Sequence, residues 1–359
     1  MNDSPSRQRI LVTGGAGFIG VNLIRKLLQN GHRVLNFDAL TYAGNLSSLG
    51  ECESHENYEF VHGDITDHDL LKSTISRFRP ERIFHLAAES HVDRSIKDPL
   101  RFVKTNMLGT ATLLEATLDF WQDMGKQEKG HFKFIHISTD EVFGSLGESG
   151  AFDESSKYFP RSPYSASKAG SDHLVAAWRE TYGLPTIITN SSNNYGPYQY
   201  PEKLIPKVIS NSIRQLPIPI YGTGSNIRDW IHVEDHCDAL LLISEHGEIG
   251  ASYAIGGSDE WSNLKLVREL CKILAGLSDE FPEYPALKNA VSGIRFVEDR
   301  LGHDFRYAID SSKIKRELGW LPRWDSEKGF ESTVRWYLQN KDWWEALAEC
   351  NDSDRRRNK

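Results

Sequence analysis

Three glycines spaced three apart, Gly14, Gly17 and Gly20, stand between a short apolar run and an amphipathic stretch. The run before them, Ile10-Leu11-Val12, is continuous, as in a parallel strand buried on both faces. After them Leu23, Ile24, Leu27 and Leu28 recur at helical spacing, and Gly31 closes the stretch. A strand that turns through glycines directly into a helix opens a βαβ unit. Glycine permits the tight turn, lets a pyrophosphate approach the backbone, and lets helix and strand pack closely. The helix N-terminus then stabilises the phosphate charge. The spacing here is G-x-x-G-x-x-G, shifted from the G-x-G-x-x-G of other dinucleotide folds.

The alternation continues. Arg33 to Phe37 reads as a second strand ending at Asp38, Tyr58 to Val61 as a third ending at Gly63-Asp64, and Arg82 to Leu86 as a fourth ending at Ala87-Ala88. Residues 67–79 and Asn106 to Phe120 read as helices, Phe132 to Ile137 as a fifth strand, Tyr164 to Tyr182 as a helix, and Thr186 to Thr189 as a sixth strand. Strands alternating with helices, joined by right-handed crossovers, predict an α/β fold with a Rossmann-type doubly wound parallel sheet. After Asn190 the texture changes to Asn, Pro, Gly and Tyr, with a short helix at Leu204 to Ile213, and tryptophans gather at Trp320, Trp324, Trp336, Trp343 and Trp344. We expect a dinucleotide domain of residues 1–190 plus about 229–257. A smaller, interleaved substrate domain takes 191–228 and about 258–345, and a polar tail takes 346–359. A chain of 359 residues has room for both units.

An acid at Asp38, about twenty residues past the glycines at the end of the second strand, is placed to hold a ribose 2′-hydroxyl and to repel a 2′-phosphate, so NAD is expected over NADP. Asp64 and Ala87-Ala88-Glu89-Ser90 fall at further carboxyl ends of strands, where a nucleotide should lie. The densest chemistry runs from Phe132 to Lys168. Thr139-Asp140-Glu141 ends the fifth strand, and Tyr164 stands four residues before Lys168 on one helix face. An ammonium near a phenol favours the phenolate, so Tyr164 and Lys168 would form a base for a sugar hydroxyl, with Thr139 bonded to the same hydroxyl. Two adjacent carboxyls repel and separate their titrations, one proton-loaded and one free. Such a pair could remove the proton beside a ketone and expel a hydroxyl as water, although spacing alone does not say which does which. The competing reading of Asp140-Glu141 is a helix cap.

Net charge is −8, and no concentrated basic surface can be read from the pattern, so the usual electrostatic footprint of duplex nucleic-acid binding is not expected. The one basic run, Arg355-Arg356-Arg357, sits in the polar tail. Cys52, Cys237, Cys271 and Cys350 are scattered, with no metal or disulfide spacing. No metal is expected. The polar N-terminus leads straight into the glycines, with neither a signal core nor a membrane span. The cytoplasm is the expected compartment.

Together the glycine turn, Thr139 and Tyr164-x-x-x-Lys168 resemble the extended short-chain dehydrogenase/reductase family. Within it the chain is similar to the dTDP-glucose 4,6-dehydratases, from about residue 8 to 340. The matching runs are Tyr42-Ala43-Gly44-Asn45, Leu86 to Ser95, Ser138 to Val142, Ser191 to Pro206, Arg228-Asp229-Trp230 and Arg306 to Asp310. The resemblance implies a dTDP-glucose substrate, NAD and a homodimer built on helices 106–120 and 164–180. It also implies Asp140 as the acid and Glu141 as the base. Cofactor contacts are implied at Phe18, Ile19, Leu40, Thr41, Ile65, Leu86, Thr105 and Asn194. Sugar or phosphate contacts are implied at Ser90, Thr139 and Asn193, and nucleotide contacts at Lys203, Leu204, Pro219-Ile220-Tyr221, Arg228, Asn263 and the segment from Asp299 to His303. Arg228 also stands on its own chemistry, since a guanidinium can clamp a diphosphate by paired hydrogen bonds. The chain departs from the family pattern at Val21, Phe143, Thr223, Leu301 and residues 276–290, the last two in the nucleotide-binding half. Three other readings compete. One is a dehydratase for UDP-, CDP- or GDP-linked sugars. A 4-epimerase is disfavoured by Asp140-Glu141, and a cofactor-sensing protein on an inactive fold is disfavoured by the intact Thr139, Tyr164 and Lys168.

Overall fold

The computed structural model describes residues 7–348; Cys350, the basic run Arg355-Arg356-Arg357 and the tail from 349 onward lie outside the described residues. Six strands come first: β1 (Arg9–Thr13), β2 (Arg33–Asp38), β3 (Tyr58–His62), β4 (Arg82–His85), β5 (Lys133–Thr139) and β6 (Thr186–Ser191). Six more follow: β7 (Asn193–Tyr195), β8 (Ile218–Tyr221), β9 (Ile227–His232), β10 (Ser252–Ile255), β11 (Glu260–Ser262) and β12 (Ile294–Val297).

The main sheet has seven strands in the order β10-β6-β5-β4-β1-β2-β3, and every neighbouring pair is parallel. Its strands are apolar on both faces because both faces are covered. Helices Phe18–Gln29 and Val233–His246 pack one face with Ile10, Val12, Val34, Phe84, Ile135 and Ile187. Helices His68–Phe78, Thr110–Gln122 and Pro163–Tyr182 pack the other with Leu11, Leu35, Phe37, Ile83 and Phe134. From β1 the chain winds outward to β2 and β3, then returns to β4 on the opposite side of β1. A crevice therefore opens at the carboxyl ends of β1 and β4, where ligands bind in such sheets.

A second core gathers Tyr195, Ile205, Ile209, Ile220, Trp230, Leu266, Leu270, Phe330, Tyr337 and Trp344. It is framed by the three-stranded sheet β11-β9-β7 and the parallel pair β8–β12. The chain passes between the cores within one strand, since β9 carries Trp230 into the second core and Ile231 into the first. Helix Val233–His246 and β10 then complete the main sheet before the chain leaves again.

Two features differ from the sequence expectation. The seventh strand, β10 (Ser252–Ile255), lies inside the 229–257 stretch expected to return to the first unit, but that stretch carries no strand expectation of its own. The helix expected from Asn106 begins instead as a π-helical segment, Val103–Gly109, and becomes α-helical at Thr110. Within that widened turn the buried Asn106 donates to Glu89 O (3.0 Å) and Ser167 Oγ (2.8 Å) and accepts from Glu89 N (2.9 Å).

Candidate active site

The glycine turn is built as its chemistry requires. Gly14 has φ +72°, and a Cβ there would stand 2.6 Å from Ala87 N. A Cβ on Gly20 would fall 2.4 Å from Gly14 O, so the helix packs on the turn only because both are glycine. At Gly17 the nearest atom is Gly14 O at 3.3 Å, which leaves space for a ligand. Gly17 is also the N-cap of Phe18–Gln29, with no side-chain cap and no acidic residue in the first turn, so the helix presents open N–H groups to an anion. The buried Asp38 accepts from Ala16 N (2.9 Å) and Leu40 N (2.8 Å), while burial pushes its carboxyl above the ordinary range.

A cavity of about 320 Å³ follows from this turn. Its lining includes Gly14, Gly17, Phe18, Ile19, Gly20, Asp38, Thr41, Asp64, Ile65, Leu86, Ala87, Ala88, Ser90 and Thr105, and at its far end Thr139, Tyr164, Lys168 and Asn194. Leu40 is the exception. It takes the left-handed conformation (φ +49°), gives its N–H to Asp38, and does not line the cavity. The donor set suits a dinucleotide: a bare helix N-terminus for a pyrophosphate, a carboxylate for ribose hydroxyls, and an apolar floor.

β5 delivers the candidate reacting groups. Thr139 closes it and caps the short 3₁₀ turn Asp140–Phe143, accepting from Glu141 N (3.3 Å) and donating to Asp140 Oδ1 (3.2 Å). The cap is therefore Thr139, and the two carboxyls are left for other work. Ser162 caps Pro163–Tyr182 by accepting from Ser165 N (3.0 Å), which sets Tyr164 and Lys168 on its first two turns. The Tyr164 phenol is hydrogen-bonded to Thr139. Lys168 Nζ donates to Ile137 O (2.9 Å).

The electrostatics separate the carboxyls. Asp140 is 1 % exposed, and its Oδ2 has no partner among the described residues. Burial, with Glu141 and Asp229 beside it, holds its carboxyl well above the ordinary range. Glu141 is also raised by the surrounding protein, but Arg228, Lys203 and Arg300 pull it back toward the charged form. Asp140 thus keeps a proton where Glu141 has three cations to support its charge. The expectation for Tyr164 is corrected. Burial, then the charges of Glu141 and Asp140, push the phenol up, and Lys168 does not offset them in the protein alone. Burial also pushes Lys168 down to about 8.

A wider cavity of about 1560 Å³ opens between the two cores. The expected Ser90, Asn193, Lys203, Leu204, Pro219, Tyr221, Arg228, Asn263 and His303 line it. Asp299 does not. It accepts from His303 Nδ1 (2.7 Å) and stands against Gly222, while its neighbour Arg300 takes the wall and pairs with Asp93 (2.6 Å). Arg228 is buried, with its guanidinium donating to Ile227 O (2.7 Å) and Asp304 O (3.0 Å) and lying 4.2 Å over the Tyr307 ring. Lys203 Nζ reaches across to Ser90 O (3.1 Å). Glu141, Asn193, Asn194 and Lys203 line both cavities, so the carboxylate stands where the two meet. Arg300, from the 299–303 segment expected at the nucleotide, and Glu89, from the 87–90 run expected beside the cofactor, also face these cavities, as do Asp93, His91, Arg94 and Tyr42, which the sequence reading did not single out individually. Most lie inside runs already singled out, 42–45 and 86–95, where no spacing marked one residue over its neighbours.

Comparison with known proteins agrees with this geometry. A family model described as GDP-mannose 4,6 dehydratase matches residues 11–333. A probable dTDP-glucose 4,6-dehydratase of Sinorhizobium fredii is 51% identical over 341 residues, covering 95% of this chain and 96% of the relative. The dTDP-glucose 4,6-dehydratase of Escherichia coli is 50% identical over 351 residues, with 95% and 96% covered. Among solved structures, dTDP-glucose 4,6-dehydratase from Bacillus anthracis in complex with NAD superposes with a TM-score of 0.83 at 42% identity, covering 95% of this chain and 99% of that one. The enzyme of the same name from Streptomyces venezuelae, also with NAD bound, gives 0.85 at 44%, with 94% and 99% covered. A UDP-glucose 4-epimerase from Thermotoga maritima gives 0.80 at 29%, with 92% and 99% covered.

Proposed function

The chain belongs to the GDP-mannose 4,6 dehydratase family, and from that membership we propose that it is an NAD-dependent dTDP-glucose 4,6-dehydratase, a hydro-lyase forming dTDP-4-keto-6-deoxyglucose and water. The observation that carries the reading is the pair Asp140 and Glu141, adjacent in sequence, unlike in environment, and set beside Thr139 and Tyr164 at the meeting of the two cavities. The choice of dTDP-glucose over GDP-, UDP- or CDP-linked sugars rests on relatives at about half identity.

Bound NAD supplies a positively charged hydride acceptor that later returns the hydride, so the overall reaction has no net redox change. The glycine turn and Asp38 hold it, and Tyr164 with Thr139 handles the sugar hydroxyl at C4. Because burial and two carboxyls hold the phenol protonated in the protein alone, Tyr164 needs added positive charge before it can accept that proton. Oxidation at C4 acidifies the proton at C5. Glu141, whose charge is supported by Arg228, Lys203 and Arg300, takes it. Asp140, holding its proton, gives it to the departing C6 hydroxyl, which leaves as water. Arg228, Lys203 and Arg300 line the wide cavity, where a diphosphate would find its counter-charges.

Turnover in deuterated water followed by mass spectrometry tests this reading. The product should lose one water and gain deuterium at C5, and a panel of four nucleotide-hexoses should place dTDP-glucose first. No water loss from any of them would overturn it. A homodimer accompanies the reading, supported by Leu100, Val103 and Leu108, which are large, apolar and exposed along one segment. A cytoplasmic setting is supported by the free, buried Cys52, Cys237 and Cys271. Among the described residues no helix is long and apolar enough to cross a membrane.

A further inference from the structure

Behind the Tyr164–Lys168 pair lies a buried carboxylate that the reaction above does not use. Asp172 is 1 % exposed and stands one turn after Lys168 on the same helix face. Four donors from three parts of the fold converge on it. His136 Nε2 reaches Oδ1 at 3.0 Å, while Ser138 Oγ, Tyr158 OH and Asn190 Nδ2 reach Oδ2 at 2.8, 3.1 and 3.3 Å. Burial pushes His136 down to about 4, so its ring is neutral and gives its one proton to the carboxylate. A buried carboxylate with four donors and no ion-paired cation among them is a trapped negative charge.

The geometry points to Asp172 as the positioning residue that keeps Lys168 an ammonium, and thereby keeps a positive charge beside the Tyr164 phenol. This rests on the dehydratase reading and deepens it. The titratable groups around the Lys168 amine are Tyr164 and Asp172 on its own helix, His136 from β5, His85 from β4, and Asp140 and Glu141 from the turn after β5. The two histidines are neutral by burial, and Asp172 is the one group whose charge raises Lys168 against the cost of burial. Lys168 Nζ is occupied by Ile137 O, so Asp172 acts through space. Asn190 also donates to Thr139 O (3.1 Å), tying the same network to the end of β5.

Lys168 sits near about 8 with Asp172 in place, so activity that needs its ammonium should fall on the alkaline side of that value. In Asp172→Asn the ammonium loses its support, and the alkaline midpoint of kcat/KM should move down by about one pH unit, a loss of about fivefold at pH 8 with much less at pH 6. Asp172→Glu keeps the charge and should keep the wild-type midpoint. Ser138→Ala removes a donor but no charge; it should lower the melting temperature and leave the midpoint in place. If Asp172→Asn does not fold, Asp172→Ser takes its place with the same expected shift. A charge-removing variant that folds and shows a uniform loss at every pH, or no loss, would overturn the proposal and leave Asp172 a packing residue. A wild-type protein with no turnover would instead remove the dehydratase reading, and this inference with it.

Discussion

Asp140 and Glu141 differ by one methylene and one position, yet the protein gives them unlike surroundings. Asp140 turns inward beside Asp229, and Glu141 turns toward three cations. Replacing Glu141 by Gln should leave oxidation at C4 within a few-fold of wild type and stop elimination, so that reduced cofactor accumulates in a single-turnover absorbance trace without water loss. Asp140→Asn should slow elimination by about 10²–10⁴-fold, the usual worth of a general acid. Its stability should move the other way. Because the folded-state pKa of Asp140 lies above its unfolded value, the folded state binds more protons between the two, and stability falls as pH rises through that window. Asn removes this term. The melting temperature of Asp140→Asn should therefore exceed that of wild type at pH 8, and the gap should shrink toward pH 4. A variant that melts lower at both values would mean that the Asp140 carboxyl stabilises the fold.

At the scale of elements, two caps hold the site, one of them empty. Ser162 closes the N-terminus of the helix bearing Tyr164 and Lys168, and Ser162→Ala should cost about 1 kcal/mol, which calorimetry would register as a drop of about 2 °C. Gly17 leaves the N-terminus of Phe18–Gln29 bare, as an anion site needs. Gly14→Ala should cost about 2 kcal/mol or more, since it combines φ +72° with a Cβ 2.6 Å from Ala87 N, and NAD binding by fluorescence titration should fail with it. Much of this level was legible beforehand. The glycine turn, six of the seven sheet strands and the helix carrying Tyr164 follow from periodicity and punctuation. The π-turn at Val103–Gly109 was not legible, because one residue added to a turn barely changes the helical pattern. Leu40 was not either. Its neighbours line the cavity, but the left-handed conformation that lets its N–H cap Asp38 turns it away, and no residue type announces that.

At the scale of the molecule, the wide cavity exists because two cores face each other across β9. Asp93 from the main sheet's loops and Arg300 from the smaller unit pair across that gap, and Lys203 reaches Ser90. Arg300→Ala should raise KM for the nucleotide sugar by about tenfold, the loss of one charge-assisted contact, with a smaller effect on kcat. The exposed Leu100 and Leu108 belong to the same scale. If the chain is the proposed dimer, Leu100→Glu with Leu108→Glu should halve the mass seen by light scattering; an unchanged dimer mass would move the contact elsewhere, and a monomer mass in the wild type would remove the dimer.

The sequence by itself determined the parallel sheet, the glycine turn and the candidate reacting groups, because each is written in local spacing: glycines by threes, Tyr and Lys by four, two carboxyls side by side. It did not determine which carboxyl holds the proton, why Arg300 and not Asp299 meets the cavity, or that Asp172 stands behind Lys168. Those depend on which charges and donors distant strands bring within reach once water is excluded, and only the tertiary structure decides that.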